Sequence, residues 1–317
     1  MYTILLFFSL FLSADGETQS VYLNLRDQIA PSLVRLETSG GDEMVGEANA
    51  LTEITGLIVT PDGYVFSSAV GFAHHPDAVI AVLPDGQHAK AEIVSTDFGR
   101  KITLLKIEPP EGKTFPVPTP AKVEPARVGQ QVLALGRILN PDVPTLTTGI
   151  LSGKRRQNGL AIQTDAHVSP SNYGGPLVNL DGEVLGILTP FGMGPNELMT
   201  GVDLYDSGIG FAIPLEDLLA LLPRMKEQKE LKPTAKMGIT FDNPSPILAG
   251  TKILYVKPDS PAEKAGVKEG DVVTHADGVP VTRAAEILWQ NAKHYEGEKV
   301  KLTLKRGEET IQAELEL

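Results

Sequence analysis

Two short stretches of the chain combine side chains that could carry out acid-base or metal chemistry. Asp165, His167, Ser169 and Ser171 provide a carboxylate, an imidazole and two hydroxyls in one segment, and these are the groups that nucleophilic hydrolysis needs. Residues this close together on an extended loop alternate in direction, so we do not expect them to converge. Residues 74–77 read His-His-Pro-Asp, but no second ligand cluster at a defined spacing accompanies them. We therefore predict no metal site and no cofactor.

The elements that surround these stretches are predicted to be mainly β. From Ser32 to about Pro214, short β-branched and apolar runs are broken by turn signals, with little helical periodicity. The proline-rich stretch 109–125 cannot pair as a central strand and is predicted to link two sub-barrels. Asp-Gly turns suit hairpins because glycine tolerates a positive φ, and such turns occur at residues 61–63, 84–86 and 180–182.

A helix and a second folded unit are predicted to follow the β region. Residues 215–229 carry an apolar stripe of leucines and then charged residues, a pattern typical of an amphipathic helix. The charged segment 227–233 ends in proline and marks a domain boundary. In the remaining residues, 233–317, strand-like and helical runs occur at residues 252–256, 261–265, 272–275, 284–293, 299–304 and 310–315.

The N-terminus and the composition indicate an exported, soluble protein. Ile4 to Leu12 form an apolar run too short to span a bilayer, followed by small and polar residues. We predict a signal peptide over residues 1–14, with a buried N-terminal strand or helix as the alternative. The chain lacks cysteine and carries a net charge of −12, which argues against disulfides, a lipid anchor, nucleic acid and anionic membranes. We expect a periplasmic or extracellular protein without a membrane span after signal cleavage.

Several stretches together resemble the HtrA/DegP serine proteases. They read TGLIVTPDGYV at residues 55–65, DFGRKITLLKI at 97–107, IQTDA at 162–166, NYGGPLVN at 172–179 and GIGFAIP at 208–214. Residues 256–273, read as VKPDSPAEKAGVKEGDVV, are similar to bacterial PDZ domains. The resemblance implies a mainly β protein: a two-barrel chymotrypsin-like serine protease fold over residues 20–228, followed by a C-terminal PDZ domain over residues 233–317.

The resemblance places the catalytic triad of this family on Val70, Lys101 and Tyr173. Such a triad needs an imidazole base, a carboxylate that orients it and a hydroxyl nucleophile. Val70 has no proton acceptor, Lys101 reverses the charge of the carboxylate, and the phenol oxygen of Tyr173 lies farther from the backbone than a serine hydroxyl. Ser171 replaces the glycine whose amide forms half of the family's oxyanion hole, so the loop of Ser171 and Asn172 is expected to be altered.

These replacements predict a binding protein rather than an enzyme, because loss of one triad member alone can lower kcat on the order of 10⁶-fold. We expect a secreted pseudoprotease that handles exported proteins by PDZ peptide binding or as a chaperone or scaffold. The alternative is a serine-type endopeptidase of protein quality control with a rebuilt active site. His74 and His75 follow Val70 by about one helical turn, although an exposed polar loop is the favoured interpretation of this pair.

A second rebuilt arrangement would join Lys101 to Tyr173 as a dyad. The interpretation favoured over it is a plugged cleft, in which Tyr173 packs on Val70 and Lys101 is solvated. Neither arrangement restores the imidazole that the family uses as its base.

The PDZ resemblance implies a peptide-binding groove. PDZ domains bind C-terminal peptides by adding a strand and hold the terminal carboxylate on backbone amides. Core packing is the alternative role for the helix residues among the candidates. Expected partners are C-terminal or unfolded polypeptides, and the resemblance also implies a homotrimer or a mixed oligomer with active relatives. The candidate groove residues are Lys236, Met237, Gly238 and Ile239 in the carboxylate loop and Ala284, Ile287 and Leu288 on the facing helix.

Overall fold

The computed structural model describes residues 19–45, 48–49, 51–138, 142–191, 207–234, 236–243 and 248–317. The predicted signal peptide, residues 1–14, lies outside them. The chain divides into two compact units, with a boundary between Lys229 and Glu230, inside the segment predicted to separate two domains. Short pieces at residues 97–99 and 155–161 are grouped with the second unit.

The first barrel follows a helix, α1, over residues 19–29. Its strands are β1 Leu33–Ser39, β4 Glu53–Ile58, β5 Tyr64–Ser68, β6 Ala78–Val82, β7 His88–Asp97 and β8 Ile102–Ile107, and a small hairpin of β2 Met44–Val45 and β3 Ala48–Asn49 comes between β1 and β4. The six main strands pair in the order β7, β6, β1, β4, β5, β8, and β7 also pairs with β8. A 3-10 turn, Ala69–Phe72, follows β5 directly.

The second barrel closes completely. Its strands are β9 Gln131–Gly136, β10 Thr145–Arg156, β11 Ala161–Thr164, β12 Pro176–Asn179, β13 Val184–Leu188 and β14 Gly210–Pro214. They pair in the order β10, β11, β14, β13, β12, β9. Residues 109–125 lie between the last strand of the first barrel and the first strand of the second, as the proline content predicts.

Local sequence signals account for most element ends in this unit. The Asp-Gly turns lie between β4 and β5, β6 and β7, and β12 and β13, and the glycine at position 63 has the positive φ, 96°, that such a turn requires. Helix α2, Leu215–Glu227, follows β14 and buries Leu215, Leu218, Leu222 and Met225. It ends two residues earlier than predicted, because Gln228 has an extended backbone.

The second unit contains all six predicted runs. Its elements are β15 Glu230–Leu231, β16 Ile239–Phe241, β17 Ile253–Val256, α3 Pro261–Lys264, β18 Val272–Ala276, β19 Val279–Pro280, α4 Ala284–Asn291, β20 Lys299–Arg306 and β21 Glu309–Glu316. Strands β16 and β17 form one sheet, and β19, β18, β20 and β21 form another in that order. Helix α4 stops before the predicted Lys293, since the amides of Lys293 and His294 bond three residues back and tighten the last turn.

No helix among the described residues is both long enough and apolar enough to cross a membrane.

Candidate functional site

Val70 lies in the 3-10 turn that follows β5. Its side chain is 1% exposed and belongs to the apolar core cluster that also contains Tyr173 and Leu105. The isopropyl group neither donates nor accepts a proton. The position that the resemblance assigns to the base is therefore filled by a core side chain.

Lys101 lies just before β8 with a positive φ of 57°, which is uncommon for a residue other than glycine. Its carbonyl accepts hydrogen bonds from the amide of Ala69, 2.9 Å away, and from the hydroxyl of Thr189, 3.2 Å away. Its ammonium lies 5.3 Å from the centroid of the Phe191 ring, a cation-π distance. The residue is only 5% exposed, so the expectation that Lys101 is solvated is wrong.

Tyr173 is likewise buried, with 3% exposure. Its carbonyl accepts a hydrogen bond from the amide of Thr55, 3.2 Å away, and its own amide donates to the carbonyl of Pro170, 3.3 Å away. Tyr173 is one of the residues that line a small cleft. The residues that line this cleft are Val168, Tyr173, Thr189, Pro190, Phe191, Ile209, Gly210 and Phe211.

The backbone and hydroxyls of both barrels bring the three positions to one place. The Ser68 and Thr189 hydroxyls are 2.6 Å apart, which links β5 to the residue after β13. Thr189 also bonds to the carbonyl of Lys101 and lines the cleft beside Tyr173. Val70 follows Ala69, whose amide bonds to the Lys101 carbonyl, and belongs to the same core cluster as Tyr173. The three positions therefore lie near one another at the junction of the two barrels, although none of them is a serine, histidine or aspartate.

The loop before Tyr173 is bonded to itself. The amide of Asn172 donates to the carbonyl of Ser169 at 2.9 Å, and the hydroxyls of Ser169 and Ser171 lie 2.7 Å apart. An oxyanion hole needs backbone amides that point at the developing charge. In this loop the amide of Tyr173 donates to the carbonyl of Pro170 in its own turn.

Thr55 holds this loop from the first barrel. Its hydroxyl donates to the carbonyl of Ser171 at 3.2 Å and accepts from the amide of Arg137 at 2.8 Å. Thr55, Ser68 and Thr189 are not among the site residues that the sequence predicts. Their position within apolar strand-like runs could have indicated them, because a serine or threonine buried in such a run requires a hydrogen-bond partner for its hydroxyl.

The two groups of acid-base side chains considered as alternatives, one at residues 165–171 and the other at His74 and His75, differ in their exposure to solvent. Asp165 and His167 are exposed, whereas the residues between and after them are buried. The expectation that this cluster does not converge is wrong for Ser169 and Ser171, whose hydroxyls lie 2.7 Å apart. Asp165 accepts the amide of Ile150 at 2.6 Å through one carboxylate oxygen. His74 is 2% exposed, so the interpretation of His74 as part of an exposed polar loop is wrong, whereas His75 is exposed.

In the PDZ unit, the candidate carboxylate loop is tightly held by its neighbours. Gly238 has a φ of 82°, and a β-carbon at this position would lie 2.2 Å from the β-carbon of Ser260, so only glycine suits it. The carbonyl of Met237 accepts the amide of Ala262 at 3.0 Å, and the carbonyl of Gly238 accepts the amide of Lys257 at 2.8 Å. Among the described hydrogen bonds, neither Met237 nor Gly238 donates its own backbone amide.

The three candidate groove residues on α4 differ in exposure. Ala284 and Ile287 are fully buried in the core of the PDZ unit, so the groove-lining expectation for these two is corrected to core packing. Their positions along the helix turn them toward the sheets. Leu288 is 44% exposed and is the one of the three whose side chain is accessible to solvent.

Comparisons with known proteins assign the two units. Residues 54–187 match the trypsin-like peptidase domain, and residues 235–317 match the PDZ domain. The serine protease HhoA of Synechocystis sp. is 30% identical over 285 residues, which cover 81% of this chain and 68% of that protein. The chain belongs to the HtrA/DegP family of serine proteases. This membership and the two barrels confirm the predicted chymotrypsin-like fold with one PDZ domain.

Other members of the HtrA/DegP family agree with this assignment. A DegP-like periplasmic serine endoprotease of Marinomonas sp. is 32% identical over 278 residues, which cover 83% of this chain and 56% of the relative. The chain thus spans about half the length of several curated relatives that it matches. Among solved structures, the HtrA-type protease AlgW with a tripeptide has a TM-score of 0.70 at 25% identity, covering 93% of this chain and 96% of that one.

These relatives correct one expectation and confirm another. The expectation that the chain is not an enzyme is wrong, because the relatives that it matches are named serine proteases or endoproteases. The expectation of an exported, periplasmic protein is confirmed by the family members that are named periplasmic.

Proposed function

We propose that this HtrA/DegP family member handles exported polypeptides by binding their C-termini in the groove of its PDZ domain. The observation that carries the proposal is the loop of Met237 and Gly238. The carbonyls of both residues accept hydrogen bonds from other residues of the PDZ unit. In the described hydrogen bonds, the backbone amide of neither residue acts as a donor. Two amides in one tight turn form the concave donor site that a terminal carboxylate needs.

The strand and helix beside this loop suit strand addition. Strand β16 begins at Ile239, directly after the loop, and pairs with β17 in a two-stranded sheet. In the strand pairings that the structure describes, the other edge of β16 has no partner, so a further strand can add there. Ile239 packs against the core cluster that contains Ile287, and Leu288 lies next along α4 with its side chain exposed. A peptide on β16 would then bury an apolar side chain against Leu288.

The proposal is tested with a library of C-terminal peptides against the full chain, each peptide as free acid and as amide. Hydrogen bonds to a charged group contribute about 1.5–3 kcal/mol, so amidation is expected to weaken binding by roughly 10- to 100-fold. Leu288→Ala is expected to weaken binding about fivefold. Val279→Ala is the matched control, because Val279 is also 44% exposed in the same unit. Equal affinity for acid and amide would contradict carboxylate capture.

A second candidate is endopeptidase activity with a rebuilt active site, which the names of the relatives favour. A nucleophile on this chain has to come from a group other than Tyr173. Ser171 is partly exposed in the same loop, two residues away. We infer that the Ser171 hydroxyl is the first candidate for the nucleophile of such a rebuilt site. A serine-directed fluorophosphonate probe, with digestion of an unfolded protein, tests this candidate.

Under this second candidate, the probe labels Ser171, and Ser171→Ala abolishes both labelling and digestion. Ser152→Ala on β10 is the control, since Ser152 is also only partly exposed and lies away from the loop. Digestion that persists in Ser171→Ala rules out Ser171 as the nucleophile. Absence of both labelling and digestion in the unaltered chain rules out the rebuilt serine site.

Two further properties are proposed with peptide binding. The protein acts as a chaperone or scaffold for unfolded exported polypeptides, and it assembles as a homotrimer or as a mixed oligomer with active relatives. The proposed domain limits remain residues 20–228 and 233–317. Suppression of aggregation of a denatured client tests the first property, and native mass spectrometry with and without a relative tests the second.

A further inference from the structure

His74 is an enclosed imidazole without a hydrogen-bond partner in the described part of the chain. It follows the 3-10 turn that carries Val70 and is 2% exposed. Both ring nitrogens are shielded from solvent, and neither bonds to a described group. Buried polar side chains are nearly always hydrogen-bonded, so an unpartnered histidine calls for an explanation.

The backbone at His74 joins two segments of the first barrel. Its carbonyl accepts the amide of Asp42 at 2.8 Å, and the amide of Asp77 donates to the carbonyl of Ser39 at 3.0 Å. A β-carbon on Gly41 would lie 2.2 Å from the His74 carbonyl oxygen, so the approach is as close as glycine permits. Residues 39–42 are thereby held against residues 74–77.

The charges around His74 do not compensate a proton on its ring. Burial lowers the pKa of His74, the neighbouring His75 lowers it further, and Asp42 raises it. Asp42 lies beside His75 instead, with its carboxylate 3.6 Å from the Nδ1 atom of that exposed ring. The Asp77 side chain lies against Gly40. An imidazolium in the closed position would therefore be buried without a hydrogen-bonded counter-charge, which is strongly unfavourable.

We propose that His74 is an acid-sensitive latch, which holds residues 39–42 against residues 74–77 while its ring is neutral and releases them when the ring takes up a proton. On release, the imidazolium reaches water and the hydrogen bond between the His74 carbonyl and the Asp42 amide is lost. The turn that carries Val70 loses its anchor on the same side. Acid would thus loosen one edge of the barrel junction while leaving the rest of the barrel paired.

The latch predicts a defined proton linkage. The open form binds a proton at the ordinary histidine pKa of about 6.5, and the closed form binds it only at lower pH. Between these two values the opening constant should rise about tenfold for each unit by which pH falls. Hydrogen exchange of the full chain, corrected for the intrinsic pH dependence of exchange, measures this slope in residues 39–42 and 69–77. Strands β12 and β13 serve as the internal reference and should show no such slope.

Two variants and one titration separate the latch from its rivals. His74→Gln should abolish the slope, whereas His75→Gln should keep it, because His75 is exposed and outside the enclosure. An NMR titration of the unaltered protein should give His74 a pKa below 6.5. A His74 pKa at or above 6.5, no slope in the unaltered protein, or the same slope in His74→Gln would each overturn the proposal. If His74→Gln does not fold, the titration and the His75→Gln slope still decide it.

Discussion

Truncation of Tyr173 to alanine tests whether this side chain is a packing element of the barrel junction. Tyr173 is 3% exposed and belongs to the core cluster of the first unit, and aromatic-to-alanine changes in cores cost about 3–5 kcal/mol. Tyr173 already lines a small cleft together with Thr189, and this cleft exposes polar as well as apolar surface. Water can enter a polar-lined space and relieve part of the cavity cost. We therefore expect the low end of the range, about 3 kcal/mol.

Urea unfolding followed by far-UV circular dichroism measures this loss. Phenol at about 100 times its dissociation constant should restore about 2.7 kcal/mol to Tyr173→Ala, because it can fill the space that the ring leaves. Leu180→Ala is the control, since Leu180 is 38% exposed and should change stability by less than about 0.5 kcal/mol. A loss below about 1 kcal/mol without phenol rescue would refute the packing role of Tyr173.

Three further outcomes are expected. Asp271→Asn should destabilise the PDZ unit by about 1–2 kcal/mol in thermal unfolding, because buried Asp271 bonds the partly exposed Arg306 at 2.7 and 2.8 Å. Arg306 lowers the pKa of Asp271, so this stabilisation should be complete above about pH 4 and decline in acid, as an acid titration of unfolding would show. Ser260→Ala removes the side-chain cap of α3 and should cost about 1 kcal/mol in urea.

The strands were predictable because hydrophobic alternation and turn chemistry are local. The Asp-Gly turns at residues 61–63, 84–86 and 180–182 and the proline-rich linker all fall where the sequence places them. Helix ends were less predictable. Gln228 ends α2 by adopting an extended backbone, which is not a property of its residue type.

Burial of individual polar residues was the least predictable feature. Lys101 and His74 were expected to reach solvent, and both are almost fully enclosed. A sequence window shows the charge of a side chain but not the elements that cover it from far along the chain. Phe191, for example, lies 90 residues from Lys101 in sequence, yet its ring lies 5.3 Å from the ammonium. Leu288 and Ile287 show the same limit, because neighbouring apolar residues on α4 differ completely in exposure.

Family membership and catalytic chemistry rest on different atoms at this barrel junction. The carbonyls of Lys101 and Tyr173 bind Ala69, Thr189 and Thr55 across the strands, and a backbone carbonyl makes such bonds whatever side chain it carries. The protease fold therefore persists at these positions without a histidine, aspartate or serine side chain. The same fold can host different chemistry, so the activity of this member has to be decided by labelling and digestion. The proposed peptide capture, by contrast, would depend on the backbone amides at Met237 and Gly238, and can be tested independently of the triad positions.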